Sequence, residues 1–430
     1  MNIAMFSNTY APIVGGVERS IDTFVEDFRH LGHNTLIFAP QFQGAEQSSD
    51  TVVRLPAIKN AYGPFSLRLP IDFILGPALR EFAPDVIHCH QPFMLGDAAL
   101  RQGHTLGIPV VFTYHTLYER YADSMGIDPI LARRLALLLP TAFANLCDAV
   151  IAPTASIAEL CRGRGIDRPI HVVPTGIDIT RFHSGNRQTW RARLGAGDDD
   201  VVIGHLGRLV PSKNVEFLAR AVAKTLAHSP RARFLLVGEG ESRGAILAAL
   251  DGAGVGDRVL APGVLRGDAL VDAYAAMDLF TFTSTTDTQG VVLIESLAAG
   301  IPVVALDYPG PRDIIRHDRE GHLLPANATF EAFAEALTSL VEDDARRRRY
   351  GEQGEVRARD FTRESCAERL LAVYREAILT HRPPVGSLDA WEAALERLNT
   401  EWALLLEKAH TAFHALSDYV KESSDPATPR

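Results

Sequence analysis

The sequence predicts an α/β chain of two doubly wound domains with a helical extension at its end. Three observations carry this. Short apolar runs of strand length alternate with stretches of helical spacing from residue 2 to residue 307, and such alternation builds parallel sheets with helices on both faces. Eleven runs are more than one open sheet ordinarily holds, so two sheets are expected. Between the sixth and seventh runs, "PTGIDITRFHSGNRQTWRARLGAGDDD" (174–200) is polar and glycine-bearing, and it marks the seam.

In the first half the runs are "NIAMFS" (2–7), "TLIFAP" (35–40), "DVIHCH" (85–90), "PVVFTYH" (109–115), "AVIAPT" (149–154) and "IHVVPTG" (170–176). In the second they are "VVIGHLG" (201–207), "RFLLVGEG" (233–240), "RVLAPG" (258–263), "LFTFTS" (279–284) and "PVVALD" (302–307). Helical spacing is clearest over Glu18–Leu31, Val215–Leu226 and Val291–Ala299. We therefore expect one domain over 1–180, a second over 181–365, and helices over 366–430. Beyond "HRPPVGS" (381–387), apolar residues recur in steps of three and four from Leu388 to Tyr419. This predicts a long amphipathic helix over 387–422, a candidate for self-association. The closing "SSDPATPR" is expected to fray.

Composition narrows the function. At 430 residues and 47% hydrophobic, the chain has material for two cores. A net charge of -10 without a basic stripe argues against nucleic acid as partner. The four cysteines are scattered and form no C-x-x-C, which argues against a zinc site or a disulfide framework and suits a reducing cytoplasm. "MNIAMFSNTY" lacks the pattern of a signal peptide. The longest apolar region, Leu135–Ile151, is broken by Pro140, Asn145 and Asp148 and is not expected to span a bilayer. The expected location is cytoplasmic.

In paired doubly wound domains a ligand sits in the crevice at the carboxyl ends of the strands. Gly15 and Gly16 follow the first run and precede a helix, so backbone N–H groups there can approach an anion. His115 ends the run "PVVFTYH" and can hydrogen-bond a hydroxyl. Arg208 and Lys213, in "GRLVPSKN", suit a diphosphate. In "STTDTQGVVLIES" (284–296), Asp287 precedes a helix and Glu295 lies within it, eight positions on. Eight residues are a little over two turns, so both acids can face one elongated ligand. Carboxylates accept from hydroxyls, which points to a polyol such as a sugar or ribose. The plainer readings are a helix cap for Asp287 and a salt bridge for Glu295.

Taken in order, "GGVE", "TYHT", "GRLVPSKN", "VGEG" and "DTQGVVLIESLAAGIPVV" resemble the retaining glycosyltransferases of family 4 over about residues 1–380. The resemblance implies the GT-B fold, an acceptor-binding first domain and a nucleotide-sugar-binding second one. It gives Arg208 and Lys213 to the donor's diphosphate, Glu295 to the ribose hydroxyls and Asp287 to the donor sugar. Gln289, Gly290 and Val291 fall in the loop whose amides contact sugar and phosphate. Gly15 and Gly16 match the loop beside the diphosphate, and His115 the histidine near the reacting sugar. No metal or other cofactor is expected, and the triad 198–200 reads as a solvated turn. The final helix of the family's core, here Phe361–Leu379, is expected to cross back to the first domain.

Two departures stand out. Asp287 occupies a position where the family mostly has Glu, and Ser212 one where an acid is common. A narrower likeness, through "HQPFMLGDAALRQGHTLGIPVVFTYHTLYERY" and "DTQG", is to the branch with bacterial diacylglycerol glucosyltransferases. It favours UDP-glucose as donor, with GDP-mannose as the other candidate, and a diacylglycerol-type lipid as acceptor. "PILARRLALLLPTAFANL" (129–146) places Leu131, Leu135, Leu138, Ala142 and Leu146 on one stripe beside Arg133 and Arg134, a pattern for peripheral membrane contact. The alternatives are hexosyl transfer to a soluble or polysaccharide acceptor, a sugar-nucleotide epimerase of the same fold, and a non-catalytic sugar-nucleotide-binding protein.

Overall fold

The computed structural model describes residues 1–13, 15–41, 49–56, 72–125 and 128–382. The helix expected over 387–422 lies outside the described residues.

Two parallel sheets are present. The first comprises β1 (Asn2–Phe6), β2 (Asn34–Pro40), β3 (Val52–Leu55), β4 (Val86–Cys89), β5 (Val110–Thr113), β6 (Ala149–Ala152) and β7 (Ile170–Val172), in the order β3-β2-β1-β4-β5-β6-β7. The second comprises β8 (Val201–Leu206), β9 (Ala232–Val237), β10 (Val259–Gly263), β11 (Leu279–Phe282), β12 (Val303–Leu306) and β13 (Gly321–Leu324), in the order β10-β9-β8-β11-β12-β13. All eleven expected strands form. The two additional ones, β3 and β13, are edge strands. Each is only partly buried, so neither "VVRL" nor "GHLL" needs the unbroken apolar run that marks an interior strand.

The apolar runs follow from burial on both faces. In β1, Ala4 and Phe6 join the core on one side, and Ile3 and Met5 the core on the other. In the second sheet, Phe280 and Phe282 of β11 face one core and Leu279 the opposite one. Successive side chains of a strand point to opposite faces, so a sheet covered twice favours apolar residues along most of each strand.

Strand order reverses between β1 and β4 and again between β8 and β11. At such a switch point the flanking connections diverge and leave a crevice beyond the carboxyl ends of the strands. The loops after β1, β5, β8 and β11 carry the residues singled out above.

The chain leaves the first core near Val173 and enters the second at Ile177. It returns later. Phe361 packs in the second domain, while Cys366, Leu370, Tyr374 and Ala377 of the helix Arg363–Thr380 pack with Ile21, Phe24 and Phe28 of the first. Arg363 bonds Asp27 and Glu26, both at 2.8 Å, and Tyr374 Oη lies 2.7 Å from His88 Nδ1. The final helix thus crosses back as expected. Among the described residues, no helix is long and apolar enough to cross a membrane.

Candidate active site

The loop after β8 makes a short 3-10 turn, Pro211–Lys213, before the helix Val215–His228. Lys213 Nζ lies 2.7 Å from each carboxylate oxygen of Asp287, in the loop after β11. Burial pushes the Asp287 carboxyl up, but Lys213, the Ser284 hydroxyl and the charge of Arg208 outweigh it and hold the group below its ordinary value. Arg208 is exposed in the same loop. Thr286 Oγ1 donates to Ser212 O at 3.2 Å and Thr283 Oγ1 to Lys213 O at 3.2 Å, stitching the two loops together. Arg208, Lys213 and Asp287 are therefore one cluster at the β8/β11 switch point. Asp287 is not a helix cap: the N-cap of Val291–Ala298 is Gly290.

Thr288 and Gln289 face the first domain. Thr288 Oγ1 donates to His115 O at 3.0 Å, and Thr154 Oγ1 donates to Thr288 O at 3.0 Å. The Gln289 side chain pairs twice with the Thr175 backbone, accepting from N and donating to O, both at 2.9 Å. Gly290 sits at φ +78, a left-handed conformation that favours glycine, and leads into Val291. Behind the loop, Gly310 at φ +98 is packed so closely that a Cβ would lie 2.6 Å from Asp287 O.

Glu295 is fully buried. Tyr274 Oη donates to its Oε2 at 2.8 Å, and Arg19 pairs with its Oε1. Arg19 lies in the first turn of the helix Gly16–His30, whose N-cap is Gly15, so these glycines border the same crevice. The salt-bridge reading of Glu295 thus describes this structure, with a partner from the opposite domain. Sequence reasoning missed Arg19 and Tyr274. An arginine directly after "GGVE" is the one local signal.

His115 follows β5, and burial pushes its pKa down to about 4, so it is neutral at pH 7. Its Nε2 lies 2.9 Å from His90 Nδ1. The His90 ring packs on His88 with centroids 4.2 Å apart. His88 in turn is held by Thr113 Oγ1 at 2.6 Å and Tyr374 Oη at 2.7 Å. Neither His88 nor His90 was singled out from the sequence. Their spacing of two in "DVIHCH" puts both on one face of a strand, which is the signal that could have found them.

Among the described residues, one group of three brings metal-ligating atoms within 4.8 Å: His317, Asp318 and His322. His317 and Asp318 precede β13 and His322 is its second residue, so the group lies at the amino ends of the strands, away from the crevice. His317 Nδ1 accepts from Leu323 N at 3.1 Å, which places the ring proton on Nε2, the nitrogen facing Asp318. That is a hydrogen-bonded cluster, not a free ligand set.

Residues 14–181 match the family described as Glycosyltransferase Family 4, and residues 186–357 match Glycosyl transferases group 1. The chain is 32% identical over 352 residues to a GDP-mannose-dependent alpha-mannosyltransferase of Mycobacterium tuberculosis, covering 80% of this chain and 89% of that protein. It is 27% identical to an alpha-monoglucosyldiacylglycerol synthase of Streptococcus pneumoniae, covering 76% and 78%. Among solved structures it resembles sucrose-phosphate synthase from Thermosynechococcus elongatus, with a TM-score of 0.72 at 22% identity over 87% of this chain and 98% of that one. The last likeness concerns the fold, which is GT-B.

Proposed function

The chain belongs to glycosyltransferase family 4, and from that premise we propose that it moves a hexose, with retention, from a nucleoside diphosphate sugar to a hydroxyl of a membrane lipid. That it is a glycosyltransferase drawing on a nucleotide sugar is carried by the family and its relatives. The observation that supports the placing of the donor is the cluster of Lys213, Arg208 and Asp287 at the β8/β11 switch point.

In this reading Lys213 and Arg208 meet the diphosphate and stabilise the charge that develops on it as the sugar leaves. Fixed cations in a crevice stabilise such charge without reorganising. The N-terminus of Val291–Ala298 and the Gly15–Gly16 turn add positive potential from opposite sides. Asp287 aligns the sugar's hydroxyls, Glu295 receives the ribose, and neutral His115 hydrogen-bonds the sugar. These groups need no metal to balance the diphosphate.

The lipid acceptor is supported by the helix Pro129–Leu146. Its buried side is Ala132, Ala136, Leu139 and Phe143. Of the stripe noted in the sequence, Leu131, Leu138 and Ala142 face outward, while Leu135 and Leu146 are half-buried against the first core. Ile130 is 69% exposed and Leu138 64%, and Arg133 and Arg134 share that surface. The helix begins on the side of the carboxyl end of β5, which is the crevice side. Exposed leucines beside arginines suit an anionic bilayer. UDP-glucose is the donor the sequence favours, and the relatives named for GDP-mannose support GDP-mannose as the other candidate.

The test is incubation of the protein with UDP-glucose or GDP-mannose, with or without diacylglycerol in anionic vesicles, and mass spectrometry of the products. A hexosyl lipid with the α configuration from one donor is the expected result. Nucleotide release with no lipid product would reject the lipid acceptor, and turnover of neither donor would reject both donors.

A further inference from the structure

We infer that His90 is a positioning residue: its Nδ1–H donates to His115 Nε2 and holds His115 in the Nδ1–H tautomer, so that His115 meets the donor sugar as a neutral hydrogen-bond donor. The inference rests on the reading that places His115 beside that sugar.

The argument starts from the 2.9 Å contact between His90 Nδ1 and His115 Nε2. Burial drives both rings toward the neutral form. Each neutral ring carries one proton, so one ring donates and the other accepts. Were His115 the donor, the His90 proton would sit on Nε2. That nitrogen is buried and has no partner in the protein. A stranded N–H of this kind is costly, and buried donors without partners are rarer than buried acceptors without them. With His90 as donor, its buried Nε2 carries only a lone pair, and the cost is smaller. The His115 proton then resides on Nδ1, the nitrogen left for a ligand.

The surroundings leave His90 little freedom. Its backbone N donates to Phe6 O at 3.0 Å, extending the β1/β4 pairing by one residue. Its ring lies between His88 and His115, with centroids at 4.2 and 5.2 Å. Both nitrogens of His88 are engaged, by Thr113 and by Tyr374 of the returning helix. The histidine at the crevice is thus oriented by a column of rings anchored in the core. The hydrogen bond on one imidazole nitrogen sets the state of the other.

The decisive measurement is the tautomer of His115 in donor-free protein, read from long-range nitrogen–proton couplings in 15N-histidine-labelled samples. His115→Gln assigns the signal. Wild type is expected to show Nδ1–H, the less common neutral form. His90→Leu should return His115 to Nε2–H and lower kcat about tenfold or more while the donor KM moves much less. His90→Asn keeps a side-chain N–H near the former Nδ1 and should restore the tautomer and most of kcat. His90→Gln, whose amide follows Nε2, should not, and it gives the contrast if His90→Leu fails to fold. An Nε2–H tautomer in wild type, or unchanged kcat in both His90→Leu and His90→Gln, overturns the inference. If His115→Gln keeps full activity, the reading of His115 itself fails, whatever the tautomer shows.

Discussion

Arg19, in the first turn of the helix Gly16–His30, is ion-paired with the buried Glu295 of the opposite domain, while Tyr274 Oη holds the other carboxylate oxygen at 2.8 Å. If the donor ribose binds Glu295, it must displace Arg19 or share its oxygen. Arg19→Ala is therefore expected to lower the donor Kd about three- to tenfold by calorimetric titration. Loss of a bond to a charged group should cost the donor-free protein about 1–3 kcal/mol. Glu295→Gln should weaken the donor by about tenfold or more. Weaker donor binding in Arg19→Ala would mean that Arg19 itself touches the donor.

The Lys213–Asp287 pair makes stability depend on pH in a defined direction. The folded carboxyl is held below its ordinary value of 3.8. Its contribution is complete above that value and is lost as pH falls through the lower folded one. Lys213→Met removes the pair. The variant should melt below wild type at neutral pH, by the equivalent of about 1–2 kcal/mol for a partly exposed pair. The gap should close as the pH drops below 3.8. A gap that stays constant down to acid pH would show that the loss is one of packing. At neutral pH, kcat should fall about a hundredfold or more, as for removal of a donor to developing charge.

Much of this was legible before the structure, for a physical reason. Sheets buried on both faces demand unbroken apolar runs, so the interior strands announce themselves, and residues at strand ends point to the crevice. Lys213 and Asp287 could be placed in such loops, but not paired, since they lie 74 positions apart. Arg19 and Glu295 are separated by 276 positions, and Thr175 and Gln289 by 114. Local spacing carries no trace of partners that only the tertiary fold brings together. The stripe on Pro129–Leu146 was readable as a stripe. Which of its residues face outward was not, because an apolar stripe ordinarily faces the core; here Ala132, Ala136 and Phe143 fill that role with Leu135 and Leu146 half-buried, and Leu131, Leu138 and Ala142 are left exposed.

Gly310 tests how tightly the 287–289 loop is held. An alanine Cβ there would lie 2.6 Å from Asp287 O and 2.9 Å from Thr288 C, at a φ of +98 that L-residues avoid. Backbone on both sides leaves little room to relax. Gly310 N–H also donates a 3.0 Å bond to Ser156 Oγ of the first domain. Gly310→Ala should cost about 1–3 kcal/mol in thermal unfolding and lower kcat, because Asp287 and Gln289 move together. Near-wild-type activity would show that this loop tolerates displacement and does not fix the donor.

The outward face of Pro129–Leu146 separates surface docking from folding. Ile130 and Leu138 are mostly exposed, so replacing both with serine removes little buried area and should leave the melting temperature within a degree or two of wild type. Binding to anionic vesicles draws on the same side chains, and each large aliphatic group lost from a bilayer contact is worth about 1–2 kcal/mol. Co-sedimentation with anionic vesicles should therefore fall by about tenfold or more in the double variant. Arg133→Gln with Arg134→Gln should weaken binding further and reduce its dependence on salt. Activity on a water-soluble acceptor analogue should be unchanged in all of them. Undiminished vesicle binding would remove this helix from the membrane contact and leave the acceptor side of the crevice to be sought elsewhere on the first domain.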